Sequence, residues 1–318
     1  MKAFTVSKND SGQRLDKFVS KVCPSLPLSQ VYKYIRLKRV KVNGKKSDLA
    51  YKLAVGDLVE MYINDEFFLK HDDDAVFKNI KPKLDIVYED EHILLVDKKV
   101  GVVVHEDDNG TADTLINNIK AYLYQKGSWD PEKENSFTPA LCNRIDRGTG
   151  GIVISAKTAA ALRILNDKIK EGEVEKYYLC LCHGKFQKPS GTIKNFLLKD
   201  EKRNKVFVYR SPHPGAKTAI TDYKVLSFKK GISLVECHLQ TGRTHQIRAH
   251  MSDMGHPLVG DTKYGTADMN RGFPYKSQCL YSYKLRFDFK GDCGELNYLK
   301  GREFSAENIY FMDFFKNL

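Results

Sequence analysis

The 318-residue chain carries 52 Lys and Arg against 40 Asp and Glu, a formal net charge of +12, with 42% hydrophobic and 29% charged residues. That balance supplies apolar sequence for a sizeable core, with two domains as the expected number, and no apolar run approaches the ~20 residues that a transmembrane helix needs. The polar start MKAFTVSKND does not read as a secretion signal, seven scattered cysteines read as reduced thiols of a cytoplasmic protein, and the positive excess points to a polyanionic partner.

Charge is concentrated at the start of the chain. Residues 1–70 hold 14 Lys and Arg against 7 Asp and Glu, and residues 12–63 read as a self-contained unit. RLDKFV, from Arg14 to Val19, opens an amphipathic helix, and Pro24 and Pro27 interrupt it. Ser29 is the expected N-cap of a second helix, Gln30 to Leu37, because its hydroxyl can accept from a free backbone N–H of the first turn. Val40-Lys41-Val42 alternates as a short strand, Asn43-Gly44 is a hairpin turn, and Leu58 to Ile63 is the next strand. The stretch QVYKYIRLKRVKVNGKK carries seven basic residues and no acid. Such a run is either a solvated helix face or a phosphate-contacting surface. Helix, strand and turn gather the charges into one compact region, which favours the second reading, since clustered Lys and Arg displace condensed counterions from nucleic acid. The candidate nucleic-acid contacts here are Arg36, Lys38, Arg39, Lys41 and Lys45, with Asn43 in the turn. The segments RLDKFVSK, SQVYKYIRLKRVKVNGKK and YKLAVGDLVEMY resemble the αL-type RNA-binding module of a ribosomal small-subunit protein and of several RNA-modifying enzymes. The resemblance implies a small α/β RNA-binding module over residues 1–70.

Residues 71–83 are polar, with Pro82 near their end, and read as a linker to a larger unit at 84–318. Its expected strands are Ile86–Tyr88, His92–Asp97, Gly101–Val104, Gly151–Ser155, Tyr177–Cys182, Ala219–Ser227 and Ser233–Leu239. Ala112–Gln125 and Thr158–Lys170 have helical periodicity. Strands outnumber helices and several are hairpin-linked, which predicts an α+β domain around a central mixed, mostly antiparallel sheet.

Several chemistries leave no sequence signature. There is no G-x-x-x-x-G-K-S/T phosphate loop, Gly148-Thr149-Gly150-Gly151 does not complete G-x-G-x-x-G, and neither H-E-x-x-H nor paired C-x-x-C occurs. Cys180-Leu181-Cys182-His183 reads as buried thiols on one strand face, and His245, His250 and His256 lack the one-face spacing of helical metal ligands. No metal site is expected.

Three stretches remain. In NRIDRGTGG, Asp146 lies between Arg144 and Arg147, and nearby guanidinium groups favour an ionised carboxylate. That suits a nucleophile or a charge anchor; an ordinary surface ion pair is the competing reading. In VEKYYL, Tyr177 and Tyr178 fall on opposite faces of one strand, so one of them faces a pocket. In LQTGRTHQIRAH, Thr244 is a candidate N-cap and Arg248 lies about a turn beyond it on a helix.

Together with IVYEDEHILLVDKKVGVVVH, these stretches resemble the RluA family of pseudouridine synthases over nearly all of residues 84–318. In the family's H-R-L-D-x-x-T-S-G motif, Arg144, Asp146, Thr149 and Gly151 agree, while Asn143, Ile145 and Gly150 replace the histidine, leucine and serine. Lys98-Lys99 stands where the family often has Lys-Pro. The resemblance implies the pseudouridine synthase fold, with Asp146 as nucleophile, Tyr178 of K-x-Y as the active-site tyrosine and Arg248 as the partner of Asp146. Arg144, Arg243, His245 and Gln246 become candidate RNA contacts. It further implies isomerisation of uridine to pseudouridine without cofactor or metal. The appended module favours structured ribosomal RNA as substrate for a monomeric enzyme. Transfer RNA as substrate, and a non-catalytic assembly factor, are the alternatives.

Overall fold

The computed structural model describes residues 1–68, 72–105 and 111–318. The N-terminal unit is built from β1 (Lys2–Thr5), α1 (Leu15–Val22), α2 (Leu28–Arg36), β2 (Val40–Val42) and β3 (Leu58–Met61). The strands form an antiparallel sheet in the order β1-β3-β2. Leu15, Phe18, Val19 and Val22 of α1 meet Val31 and Ile35 of α2 in its core, at the spacing that puts one apolar stripe on each helix. Two residues depart from expectation. Helix α2 begins at Leu28, with Pro27 rather than Ser29 at its N-cap, because the Pro27 carbonyl already accepts the N–H groups of Gln30 and Val31. Strand β3 stops at Met61, two residues before Ile63. Asn43 and Gly44 adopt positive φ, 51° and 73°, the geometry of a two-residue hairpin turn.

The boundary read at residues 70–71 lies outside the described residues. Most of the stretch read as linker is built into the fold: Asp72–Asn79 is a 3-10 helix, and Phe77 is buried against Trp129 and Tyr124.

The larger unit then runs β4 (Ile86–Glu89), β5 (Ile93–Lys98), α3 (Leu115–Gln125), β6 (Ala140–Leu141), β7 (Gly150–Ala156), α4 (Ala159–Lys170), β8 (Val174–His183), β9 (Ser190–Asp200), β10 (Lys205–Tyr209), β11 (Lys217–Lys229), β12 (Ile232–Leu239), α5 (Gln246–Asp253), β13 (Leu280–Phe287), β14 (Glu303–Ser305) and α6 (Met312–Lys316). One sheet orders its main strands β10-β9-β11-β12-β8-β13-β7-β5-β4. Among the described residues its pairings are antiparallel except β13 with β7, so the predicted α+β, mixed and mostly antiparallel architecture is observed. Helices α3 and α5 bury Leu115, Ile119, Leu123, Ile247 and Met251 on one face. Leu165 of α4 and Phe315 of α6 help cover the other. With both faces covered, β7 is buried along its whole length, as its continuous apolar run requires.

The expected strand Gly101–Val104 does not form. Gly101 turns with φ 93°, and the carbonyls of Val103 and Val104 accept the N–H groups of Leu115 and Ile116 at 2.8 and 3.2 Å. These acceptors satisfy free donors at the start of α3, so the segment serves a helix terminus instead of a sheet. β9, β10 and β13 were not expected from the sequence.

The two units meet through the Ser7–Gln13 turn. Asp10 is fully buried and accepts from Asn135 Nδ2 at 2.7 Å and Ser136 Oγ at 2.6 Å. Asn9 accepts the first N–H of α4, from Ala159, at 3.2 Å.

Candidate active site

The glycines of NRIDRGTGG have a packing cause. A Cβ on Gly151 would lie 2.3 Å from the Ser282 carbonyl oxygen, and one on Gly150 would lie 2.5 Å from the Tyr281 ring. Only glycine lets β7 approach β13 this closely. The loop before them is pinned at both ends. Asn143 Oδ1 accepts the Ile154 N–H at 2.8 Å, and the Asp146 carbonyl accepts the Thr149 N–H at 3.0 Å. Asn143, at the position of the family's histidine, therefore ties the loop to β7.

Asp146 stands in a cleft of about 960 Å³ whose wall includes Tyr178, Arg243, His245 and Arg248. Its carboxylate is 29% exposed and its Oδ2 accepts from Arg248 Nη1 at 3.0 Å. The flanking arginines do not hold it, contrary to the reading from adjacency alone. Arg144 and Arg147 are exposed, and the Arg147 guanidinium donates to the Gly101 carbonyl. The stabilising guanidinium arrives from α5.

Arg248 is itself fixed from behind. Asp261 is fully buried at its side chain and takes Arg248 Nε at 2.6 Å and Nη2 at 3.0 Å. Its Oδ1 also accepts the Lys263 and Tyr264 backbone N–H groups at 3.0 and 3.1 Å. A bidentate carboxylate–guanidinium fork leaves the arginine little rotational freedom. Asp261–Arg248–Asp146 is thus one charge-paired line from core to cleft. No motif around Asp261 signals this role in the sequence.

Tyr178 is 6% exposed and faces this cleft. Burial, with the Asp146 charge adding to it, pushes its hydroxyl up to about 12, so the phenol is neutral near pH 7. Tyr177 lies on the opposite face, stacked on His238 with centroids 4.7 Å apart and donating to Glu175 at 3.1 Å. The expected division between the two tyrosines therefore holds. Lys176 lines the same cleft, and burial lowers its pKa.

Lys98 lies beneath the loop. Its ammonium is buried and donates to the carbonyls of Lys99, Val102 and Arg147 at 3.0, 2.9 and 3.3 Å. Burial brings it down to about 8, against the pull of Asp146 and Asp97. The turn in which Lys99 replaces the family's proline is tied to the Asp146 loop by this ammonium and by the Gly101 N–H bonded to the Arg147 carbonyl.

The residues expected to contact RNA divide into groups. Arg36, Lys38, Arg39 and Lys45 are exposed, Lys41 is half-buried, and none has an ion-pair partner among the described residues. Arg39 and Lys41 lie over the rings of Tyr34 and Tyr62 at 5.2 and 5.3 Å, a mixture of cations and aromatics suited to phosphates and stacked bases. Asn43 differs: its amide joins Asp57 Oδ1 and the Leu58 N–H, each at 2.8 Å, which locks its own turn. Arg144 is exposed at the cleft, and Arg243 is exposed with Nε donating to the Thr218 carbonyl.

Gln246 is buried, and its amide holds Thr241, Arg243, Ile220 and Thr221. It is an internal brace with no group to offer RNA. His245 also leaves the rim, because its Nε2 stands 3.7 Å from Asp146 Oδ2. It occupies the N-cap of α5 with φ 51°, where Thr244 had been expected.

The remaining histidines and thiols go to separate places. His250 bonds Thr221 Oγ1 at 2.9 Å, and His256 bonds the His183 carbonyl and stacks on Phe186. Cys180, Cys182 and Cys237 pack together in the core with sulfur separations of 3.6 and 3.9 Å. No helix among the described residues is long and apolar enough to cross a membrane.

Comparison with known proteins identifies the family. Residues 92–253 match the RNA pseudouridylate synthase family, and residues 13–59 match the S4 domain. The chain is 35% identical to an uncharacterized RNA pseudouridine synthase of Mycoplasma genitalium, over 89% of this chain and 88% of that one. It is 36% identical to ribosomal large subunit pseudouridine synthase D of Blochmanniella floridana, covering 83% and 79%. To synthase C of Escherichia coli it is 31% identical, covering 92% and 90%. Among solved structures, human RNA pseudouridylate synthase domain containing 4 shares the fold with TM-score 0.55 at 20% identity, over 72% of this chain and 90% of that one. Family match and relatives together establish that this chain belongs to the RNA pseudouridylate synthase family, as an RluA-like member carrying an N-terminal S4 domain.

Proposed function

We propose that this RNA pseudouridine synthase isomerises uridines of large-subunit ribosomal RNA, with Asp146 as the nucleophile. The observation that carries the nucleophile assignment is the position of one carboxylate. Asp146 is partly exposed in the cleft, paired with Arg248 at 3.0 Å and sharing its walls with the neutral Tyr178 phenol.

The reaction breaks the bond from the sugar C1′ to N1 of uracil and forms one from C1′ to C5. The C5 proton leaves and N1 gains one, so no oxidant and no external group enters. Asp146 attacks the sugar carbon or the uracil ring; Arg248 supports its negative charge before attack and aims it. Tyr178, protonated near neutral pH, packs against the turned base and is placed to pass a proton. The target nucleotide leaves its helix at a cost of a few kcal/mol. Phosphate contacts by Arg36, Lys38, Arg39, Lys41 and Lys45 on the S4 domain, and by Arg144 and Arg243 at the cleft, help offset that cost. Tethering this second binding surface raises the local RNA concentration without entering the chemistry. The substrate assignment is supported by relatives named as large-subunit enzymes.

RNA carrying tritium at C5 of uridine releases one label per turnover. Transcripts of large-subunit ribosomal RNA are expected to release label, and transfer RNA transcripts are not. Release from transfer RNA alone would reassign the substrate. Stable RNA binding without release from any transcript would favour an assembly factor.

A further inference from the structure

His245 has an unusual backbone and an unusual neighbour. It is one of five non-glycine residues at positive φ among the described residues, a conformation that L side chains adopt at a cost. There its imidazole reaches Asp146 on one side and Tyr264 on the other. Nδ1 lies 3.0 Å from the Tyr264 hydroxyl, and Nε2 lies 3.7 Å from Asp146 Oδ2.

The hydroxyl decides the tautomer. Tyr264 Oη accepts the Val206 backbone N–H at 2.8 Å, and no other acceptor for its proton is found among the described residues. Donation to His245 Nδ1 satisfies it. A ring nitrogen that accepts carries no hydrogen, so a neutral imidazole holds its one N–H on Nε2, facing the carboxylate. The opposite tautomer would set a lone pair against the lone pairs of Asp146. The ring is neutral near pH 7: burial brings it down to about 4, Arg248 and Lys263 add to that, and Asp146 and Asp261 oppose it. The pair is accordingly an N–H donor beside a carboxylate, not a salt bridge.

Arg248 Nη1 addresses the same oxygen, Oδ2, at 3.0 Å. Among the described residues Oδ1 receives no hydrogen bond. We infer that His245 is a positioning residue of the reaction: held by Tyr264 as its Nε2–H tautomer, it joins Arg248 in engaging Oδ2 of Asp146 and leaves Oδ1 as the oxygen that meets the nucleoside. This rests on the reading of Asp146 as nucleophile. Catalytic contacts of this kind tighten when substrate fills the site, so the effect falls on the chemical step rather than on RNA affinity.

The test measures single-turnover rates and RNA affinity for His245→Ala, His245→Gln, Tyr264→Phe, the double variant of the last two, and Asp146→Asn. Proton-detected 15N spectra of the wild-type imidazoles accompany them. His245→Ala is expected to slow the chemical step about 10- to 100-fold, the effect of losing an N–H donor that closes on a charged carboxylate when substrate fills the site, with affinity unchanged. His245→Gln keeps an N–H donor and is expected to recover part of the rate. Tyr264→Phe is expected to slow the enzyme when residue 245 is His and to have little effect when it is Gln, since only an imidazole has a tautomer to hold. The spectra are expected to show the proton on Nε2. A proton on Nδ1, a full rate for His245→Ala, or an equal Tyr264→Phe cost in both backgrounds overturns the inference. Should His245→Ala not fold, the spectra and the Gln pair decide. Asp146→Asn separates the two readings: activity there removes the nucleophile assignment, whereas an inactive Asp146→Asn beside a fully active His245→Ala removes only the role of His245.

Discussion

Replacing Asp261 with Ala should damage both folding and chemistry, although this residue is not expected to touch RNA. The substitution deletes two hydrogen bonds to a guanidinium, at 2.6 and 3.0 Å, and the acceptor of two backbone N–H groups. Arg248 is left buried with Asp146 as its remaining carboxylate partner. Breaking a buried, hydrogen-bonded charge pair from one side costs about 3–5 kcal/mol, a large part of the roughly 5–15 kcal/mol that holds a typical domain together. The folded fraction should shift arginine away from Asp146, and a misplacement near 1 Å costs roughly 10²-fold in rate. Urea unfolding followed by tryptophan fluorescence reads the first effect, because Trp129 is the chain's single tryptophan and is buried in the catalytic unit's core. Tritium release under single turnover reads the second. Asp146→Ala is the control: its carboxylate is 29% exposed, so its loss should cost folding about 1 kcal/mol or less while abolishing turnover. An Asp261→Ala protein within about 1 kcal/mol of wild type, with a nearly normal rate, would refute the idea that this carboxylate holds Arg248 in place.

Two other outcomes follow from the same structure. His245 and His250 are both brought down to about 4, chiefly by burial, whereas an unfolded imidazole titrates near ~6.5. Between those values the unfolded chain binds more protons, so the stability from these groups is complete above pH 6.5 and is lost as pH falls toward 4. Each contributes a slope of up to about 1.4 kcal/mol per pH unit, visible as a falling urea midpoint; a flat profile over that window would mean that the rings are charged in the folded state. Charge reversal at Lys38 and Arg39 should weaken RNA binding and lower the slope of log affinity against log salt by about 2, leaving the single-turnover rate at saturating RNA intact. An unchanged slope would place the docking surface elsewhere.

Much of the cleft was legible because its residues sit in short motifs. Asp146, Tyr178 and Arg248 each carry a local signature, and the alternation of Tyr177 and Tyr178 correctly sent one ring to each face. What adjacency suggested about charge was misleading. Arg144 and Arg147 flank Asp146 in sequence, yet both side chains are exposed, Arg147 in the turn that follows Asp146, and the paired guanidinium lies 102 residues away. Asp261 and Tyr264 were invisible for the same reason, since their roles exist only after α5 and the following loop pack together. His245 and Gln246 follow Arg243-Thr244 in sequence, but the left-handed turn at His245 sends one to Asp146 and buries the other. The fold shows a similar limit. SGTIKNFLLKD of β9 is partly polar on both faces, so period-two patterning gave little signal. The apolar run Val102-Val103-Val104 looked like a strand until α3 required its carbonyls. Phe77 shows that a polar linker composition can hide a core residue.

The most direct test of the account is the single-turnover release of C5 tritium from a large-subunit ribosomal RNA transcript by Asp146→Asn, measured with saturating folded protein. The account predicts no release above background, with RNA affinity and urea midpoint close to wild type. Release at the wild-type rate would show that the carboxylate paired with Arg248 is not the nucleophile.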